Sequence, residues 1–302
     1  MSSAPERTLK PAAALLLNAF VWGVSWWPFR ELHQRGVHPL WATALVYAIS
    51  MAVLLAARPH AWRAFAREPL LWLLMAASGF TNVGFNWGVT VGDVVRVVLL
   101  FYLMPAWTVV LAWAFLGERP SRAGVLRLLI AMAGVVTVLK PPGTPWPVPQ
   151  SIADWLAIAG GFSFATTNIV LRRLRHVDAP ARIFAMFTGG AVLATLAAFA
   201  GMGAGLVPAP PAPQLAWTAL GLALSFGFLA SNMALQYGAS RLDAHASALI
   251  MLSEIVFASV SSVALGAATL TARTLVGGAL ILLAAAGSAW AGTGGEKTVG
   301  AQ

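Results

Sequence analysis

The feature that most limits what this chain can become is a recurring apolar stretch of about 20 residues, the length that carries a helix across roughly 30 Å of hydrocarbon. Cutting where charges, prolines and glycines interrupt the pattern gives ten segments, at 11–32, 39–57, 69–90, 94–116, 122–140, 153–172, 180–201, 214–238, 243–266 and 272–291. Composition leaves little else to build from. Of 302 residues, 59% are apolar and only 10% are charged, and the mean hydropathy is +0.78. A water-soluble domain of this size carries about one quarter charged residues to face its solvent. The sequence therefore predicts an all-α integral membrane protein with ten transmembrane helices.

A net charge of +9 can mark a nucleic-acid partner. Here the arginines sit singly or in short groups between apolar stretches, such as Arg58, Arg63 and Arg67 or Arg172, Arg173 and Arg175, where loop anchors belong. Nucleic acid is set aside, and membrane lipids and a small molecule are the expected partners. With the N-terminus inside, 14 of the 19 basic residues fall on the cytoplasmic side and five (Arg30, Arg35, Arg96, Lys140, Arg273) on the other, which predicts both termini in the cytoplasm. Arg7 and Lys10 before an apolar run resemble a signal peptide. The run continues through Trp22, Trp26 and Trp27 to Leu32, so it is read as a retained first helix. There is no cysteine, which removes disulfides, thiolate metal sites and cysteine nucleophiles. Sixteen arginines against three lysines, with abundant alanine, glycine and leucine, point to a GC-rich bacterium and so to its inner membrane.

The chain divides nearly in half. A cytoplasmic N-terminus (1–10) leads into a first unit of five segments (11–140). A proline-rich linker (141–152) precedes a second unit of five (153–291) and a cytoplasmic tail (292–302). Pro39 matches Pro180, and Trp22 falls on Ser163, at an offset of 141. Trp87, Gly88 and Asp93 match Tyr237, Gly238 and Asp243 at 150, and Leu116-Gly117 matches Leu265-Gly266 at 149. Gly124 and Gly134 match Gly277 and Gly287 at 153. An odd number of spans per unit forces the second to enter the membrane with opposite polarity. Inverted repeats recur in secondary transporters, because equivalent halves of opposite orientation can exchange conformations around one site.

On these residues the chain resembles the drug/metabolite transporter superfamily, in particular its members with two EamA-type repeats, over residues 11–291. The motifs are Trp22-Gly23, Leu103-Met104-Pro105, Leu116-Gly117-Glu118 and the Gly124 to Gly134 spacing. The second repeat departs from them, with Glu254 where Pro105 would recur and Ala267 where Glu118 would. The resemblance implies a transporter exporting amino acids or related small metabolites through a cavity lined by spans 1, 3, 4, 6, 8 and 9. It does not carry over a substrate.

Glu254 is the sharpest site candidate, an acid 11 residues into its span where ionisation is costly. It can bind a substrate ammonium or exchange a proton, or it can serve as a hydrogen-bonded tie between helices. Amides form a second set: Asn82 and Asn86, Asn168, and Asn232 and Gln236. The i, i+4 spacing puts each pair on one helix face, and the duplication sets the pairs across the pseudo-symmetry axis. They suit a zwitterion, or they are interhelical contacts. Trp22 and Trp26 share a face and, with Tyr102, suit a pocket wall, core packing being the alternative. Pro28 and Pro105 are expected to kink their spans.

No P-loop, His-Glu-x-x-His or Gly-x-Ser-x-Gly motif is present, and no catalytic residue, metal or cofactor is expected. A passive channel or structural bundle remains open beside the carrier reading. The oligomeric state is open too, a monomer being one possibility.

Overall fold

A computed structural model describes residues 4–117, 122–140, 148–239, 241–242, 247 and 250–291. The charged and proline-rich parts of the connection around Glu118, most of the linker, Asp243, His245 and the C-terminal tail lie outside them, as does the side chain of Gln236. Among the described residues the α-helices are, in order, α1 Ala4–Val24, α2 Trp26–Gln34, α3 Pro39–Ala57, α4 Leu70–Val91, α5 Val94–Phe101, α6 Met104–Leu116, α7 Arg122–Leu139, α8 Ile152–Arg173, α9 Ala179–Gly203, α10 Leu215–Ala239, α11 Ser253–Ala264 and α12 Ala272–Ala291. A 3-10 turn, Ala61–Ala66, joins α3 to α4. Among the described residues five helical runs are long and apolar enough to cross a membrane by length and composition: Leu9–Gln34, Pro39–Ala57, Val94–Leu116, Ala179–Gly203 and Leu215–Leu235.

The bundle is apolar outside, and its polar side chains turn inward among an apolar core. On α4, Ser78, Thr81, Asn82, Asn86 and Thr90 are buried, whereas Trp72, Leu73 and Phe80 are exposed. Water-soluble helices sort the other way, because they shed apolar surface toward the core. In hydrocarbon the polar groups must find partners inward, and α4 does so with hydrogen bonds such as Thr81 Oγ1 to the Ala77 carbonyl at 2.9 Å.

Two runs break where proline dictates. Pro28 has no N–H for the Val24 carbonyl and Pro105 none for Phe101, and the helices part at Ser25 and at Tyr102–Leu103. The second repeat breaks at the equivalent place without proline, at Leu252 just before α11. The glycines that close these spans also correspond: Gly117 and Gly266 take φ of +70° and +67°, left-handed values that end a helix cheaply only with glycine. His38 starts α3, its Nδ1 accepting from the Leu40 N–H at 3.3 Å. Burial, and then the neighbouring His33, hold its pKa below the usual histidine range, which keeps it the neutral acceptor that this cap requires.

Contacts between the halves exchange in pairs. α1 packs on α10 and α11, while its counterpart α8 packs on α4 and on α5 and α6. The self-paired helices run antiparallel. Arg273 at the start of α12 bonds the Lys140 carbonyl after the end of α7 at 2.7 Å, and the two helices cross where Gly134 meets Gly277. On α3 and α9, Trp41 meets Phe199 while Tyr47, further along, meets Phe187. Equivalent helices of opposite direction are the geometry of an inverted repeat.

Close glycine crossings hold this arrangement. A Cβ on Gly189 would run into the Met75 carbonyl oxygen and approach Ser78 Oγ at 2.8 Å, whereas one on Gly203 meets nothing within 4 Å. Gly189→Ala should cost about 1–3 kcal/mol, as overpacking does, and lower the unfolding midpoint of the detergent-solubilised protein. Gly203→Ala should leave it unchanged.

Candidate functional site

The central cavity holds about 630 Å³, within the range of small-molecule sites. Spans 1, 3, 4, 6, 8 and 9 line it, joined by Met186 of α9. A second recess, behind Tyr102 and Pro105, holds only about 10 Å³ and has room for little beyond a water. The main cavity lies toward one end of the bundle. Its lining residues on α8 (Phe164, Thr167, Asn168) and α10 (Asn232, Leu235) fall in the C-terminal halves of those helices, near Arg172, Arg173 and Arg241.

Glu254 lies in the first turn of α11, against the cavity and 9% exposed. The break at Leu252 places a helix N-terminus there, the end whose dipole favours a carboxylate. Tyr102, at the matching break between α5 and α6, donates its hydroxyl to Glu254 Oε2 at 3.1 Å. The two broken helices thus meet in one bond.

Four of the candidate polar residues gather on the cavity: Asn82, Asn168, Asn232 and Glu254. Asn82 Oδ1 accepts from the Tyr47 hydroxyl at 2.7 Å, which turns the amide's donor end toward the remaining space. Trp22 and Tyr102 also line the cavity. Trp26 and Asn86 are not brought to it. Trp26 donates Nε1 to Ser261 Oγ at 2.9 Å, and Asn86 donates to Thr43 Oγ1 at 3.3 Å. Both sit one helical turn beyond their partners, past an aromatic floor in which Trp22 meets Phe85 at 6.0 Å and Phe85 meets Phe101 at 4.9 Å. Sharing a helix face was insufficient because the cavity ends at Trp22 and Phe85, and the next turn of each helix lies behind that floor. Gln236 lies outside the described side chains.

Asn18 was missed. It is 1% exposed, lines the cavity, and donates Nδ2 to the carbonyl and hydroxyl of Ser231 at 2.9 and 2.6 Å, while its Oδ1 has no partner among the described residues. The signal was present, an amide four residues before Trp22 in an otherwise apolar run.

The opposite end of the bundle is clamped by two arginines. Arg30 reaches the carbonyls of Val89 at 3.2 Å, Ala267 at 3.3 Å and Gly92, and lies 5.2 Å from the Trp26 ring. Arg96 grips Asp154 through two bonds of 2.7 and 2.9 Å and the Val138 carbonyl at 2.6 Å. These contacts join the first half to α8 and to the connection before α12. At the cavity end, Arg173 bonds the Phe115 carbonyl and His176 pairs with Glu68 at 3.1 Å, both on the exposed surface.

An apolar-surfaced bundle of two inverted repeats around a central cavity defines a multi-pass membrane protein of transporter architecture. The profile of the EamA-like transporter family matches residues 9–140 and 151–290, and the chain belongs to that family, a family of transporters and not of enzymes. A crystal structure of a protein 21% identical in sequence, covering 95% of this chain and 97% of its own, superposes with a TM-score of 0.54, a likeness of fold alone. No curated protein matches.

The Arg96 clamp has a measurable signature. Asp154 is only 2% exposed, so Arg96→Met strands a buried carboxylate and should cost about 3 kcal/mol or more. Adding Asp154→Asn should recover part of that loss, giving a positive coupling in a double-mutant cycle of thermal stability. Additive losses would show that the pair does not hold this end.

Proposed function

We propose that this protein is a secondary transporter, an alternating-access carrier that exports amino acids or related small metabolites across the bacterial inner membrane. In this reading it has ten spans with both termini in the cytoplasm. α1 with α2 and α5 with α6 each form one broken span, and the segment leading into α11 completes the ninth. The observation that carries the reading is the asymmetry of the bundle. One central cavity lies toward the arginine-rich end of α8 and α10, and the other end is tied by Arg30 and Arg96. A site between two inverted halves, displaced toward one membrane face and closed from the other, is the inward-facing member of a carrier's two states. Export would require the Arg30 and Arg96 ties to open while the α8 and α10 ends close.

Substrate is held by Glu254 and by the amides of Asn82, Asn168 and Asn232, against Trp22 and Tyr102. Trp26, Asn86 and Gln236 complete the candidate set. Trp26 and Asn86 support the floor in the inward-facing state and reach the site only when the opposite end opens.

Counterflow in proteoliposomes loaded with one unlabelled metabolite at a time tests this. Saturable entry of the matching radiolabel is expected, abolished by Glu254→Gln and weakened about three- to tenfold in affinity by Asn168→Ala or Asn232→Ala, the worth of one hydrogen bond. Entry that never saturates would identify a channel. Full transport in all three variants would remove the site assignment.

A further inference from the structure

We infer that the cavity is built for an organic monocation, an amine carrying an apolar or aromatic body and no carboxylate, with its ammonium at Glu254. The inference rests on the carrier site above and narrows what that site accepts. Among the described residues Glu254 is the one charged side chain on the cavity, and no arginine, lysine or histidine lines it. Glu254 receives a single hydrogen bond from Tyr102 and no ion pair among the described residues. An ammonium supplies both the missing charge and three N–H donors with no acceptor to satisfy. Asn18 Oδ1, buried at the same cavity without a partner, is a second acceptor in search of a donor. The same cavity wall carries a connected set of aromatic rings. Trp22, Phe85, Phe101 and Phe164 are linked ring to ring at 6.0, 4.9 and 5.6 Å, a surface that attracts both a ring and a cation.

A zwitterionic amino acid fits this chemistry poorly. Its ammonium matches Glu254, but its carboxylate would enter a low-dielectric space with only neutral amide and hydroxyl donors, and no cationic side chain among the described residues, to receive it. A buried charge without an opposite charge is costly. The same cavity therefore discriminates between an amino acid and the amine that lacks only the carboxyl group.

Phenethylamine, phenylalanine and the neutral phenethyl alcohol share one ring and differ in charge, which makes them suitable probes. Binding to the purified full-length protein in nanodiscs is read by quenching of tryptophan fluorescence and by the shift in unfolding temperature. Counterflow is measured in parallel. The inference predicts that phenethylamine binds at least tenfold more tightly than phenylalanine or the alcohol, and that Glu254→Gln removes this preference while the unliganded protein stays folded. Glu254→Asp should keep part of it. Phenylalanine binding as tightly as the amine, or an amine preference that survives Glu254→Gln, would overturn the inference and leave the carrier reading standing. Absence of amine binding would overturn it as well. Amine binding without counterflow would uphold the ligand class and count against the carrier.

Discussion

Glu254 is a carboxylate in the interior of a bundle whose outer surface is apolar, at the wall of its central cavity. A carboxylate there is tolerated only if the fold supplies donors and space around it. Much of the surrounding structure can be understood as that supply. The helix break at Leu252 brings a helix N-terminus to it, the matching break at Tyr102–Leu103 brings a hydroxyl, and the cavity beside both leaves room for a ligand. Because the two breaks are equivalent positions of an internal repeat, one carboxylate and one hydroxyl join the two halves at matching points.

The repeat also explains why one half uses proline and the other does not. In the first half, Pro105 breaks the span by lacking an N–H. In the second, Glu254 stands in that place, and the break persists with a side chain that is both helix-compatible and charged. One copy keeps the shape by covalent geometry, and the other places a carboxyl side chain on the cavity at the freed position. The asymmetry extends to the ends of the bundle. Arg30 and Arg96 each satisfy carbonyls or a carboxylate on several elements at once, whereas the contacts at the other end are single and exposed.

Much of the architecture was legible in the sequence, because a helix in hydrocarbon leaves a period, a length and a charge bias that water-soluble folds blur. The all-helical fold, the equivalence of Leu116-Gly117 with Leu265-Gly266 and the kinks at Pro28 and Pro105 all rest on local chemistry. The cavity was less legible. Asn82 and Asn86 share a helix face, as do Trp22 and Trp26, and only tertiary packing of Phe85 on Trp22 and Phe101 decides that the first of each pair lines the space and the second lies behind it. Asn18 escaped notice because its partner Ser231 is 213 residues away. The break at Leu252 carries no proline or glycine to announce it.

The absence of cysteine makes the central claim directly measurable, since any single cysteine reports alone. Met186→Cys places a thiol on the cavity wall, and a membrane-impermeant maleimide applied to right-side-out or inside-out vesicles reads which face reaches it. Alternating access predicts reactivity from the cytoplasmic face, and reactivity from the outer face that rises as the cytoplasmic one falls when Arg96→Met loosens the clamp. Simultaneous reactivity from both faces, or from one face alone whatever the state of the clamp, would contradict a carrier built on two inverted halves.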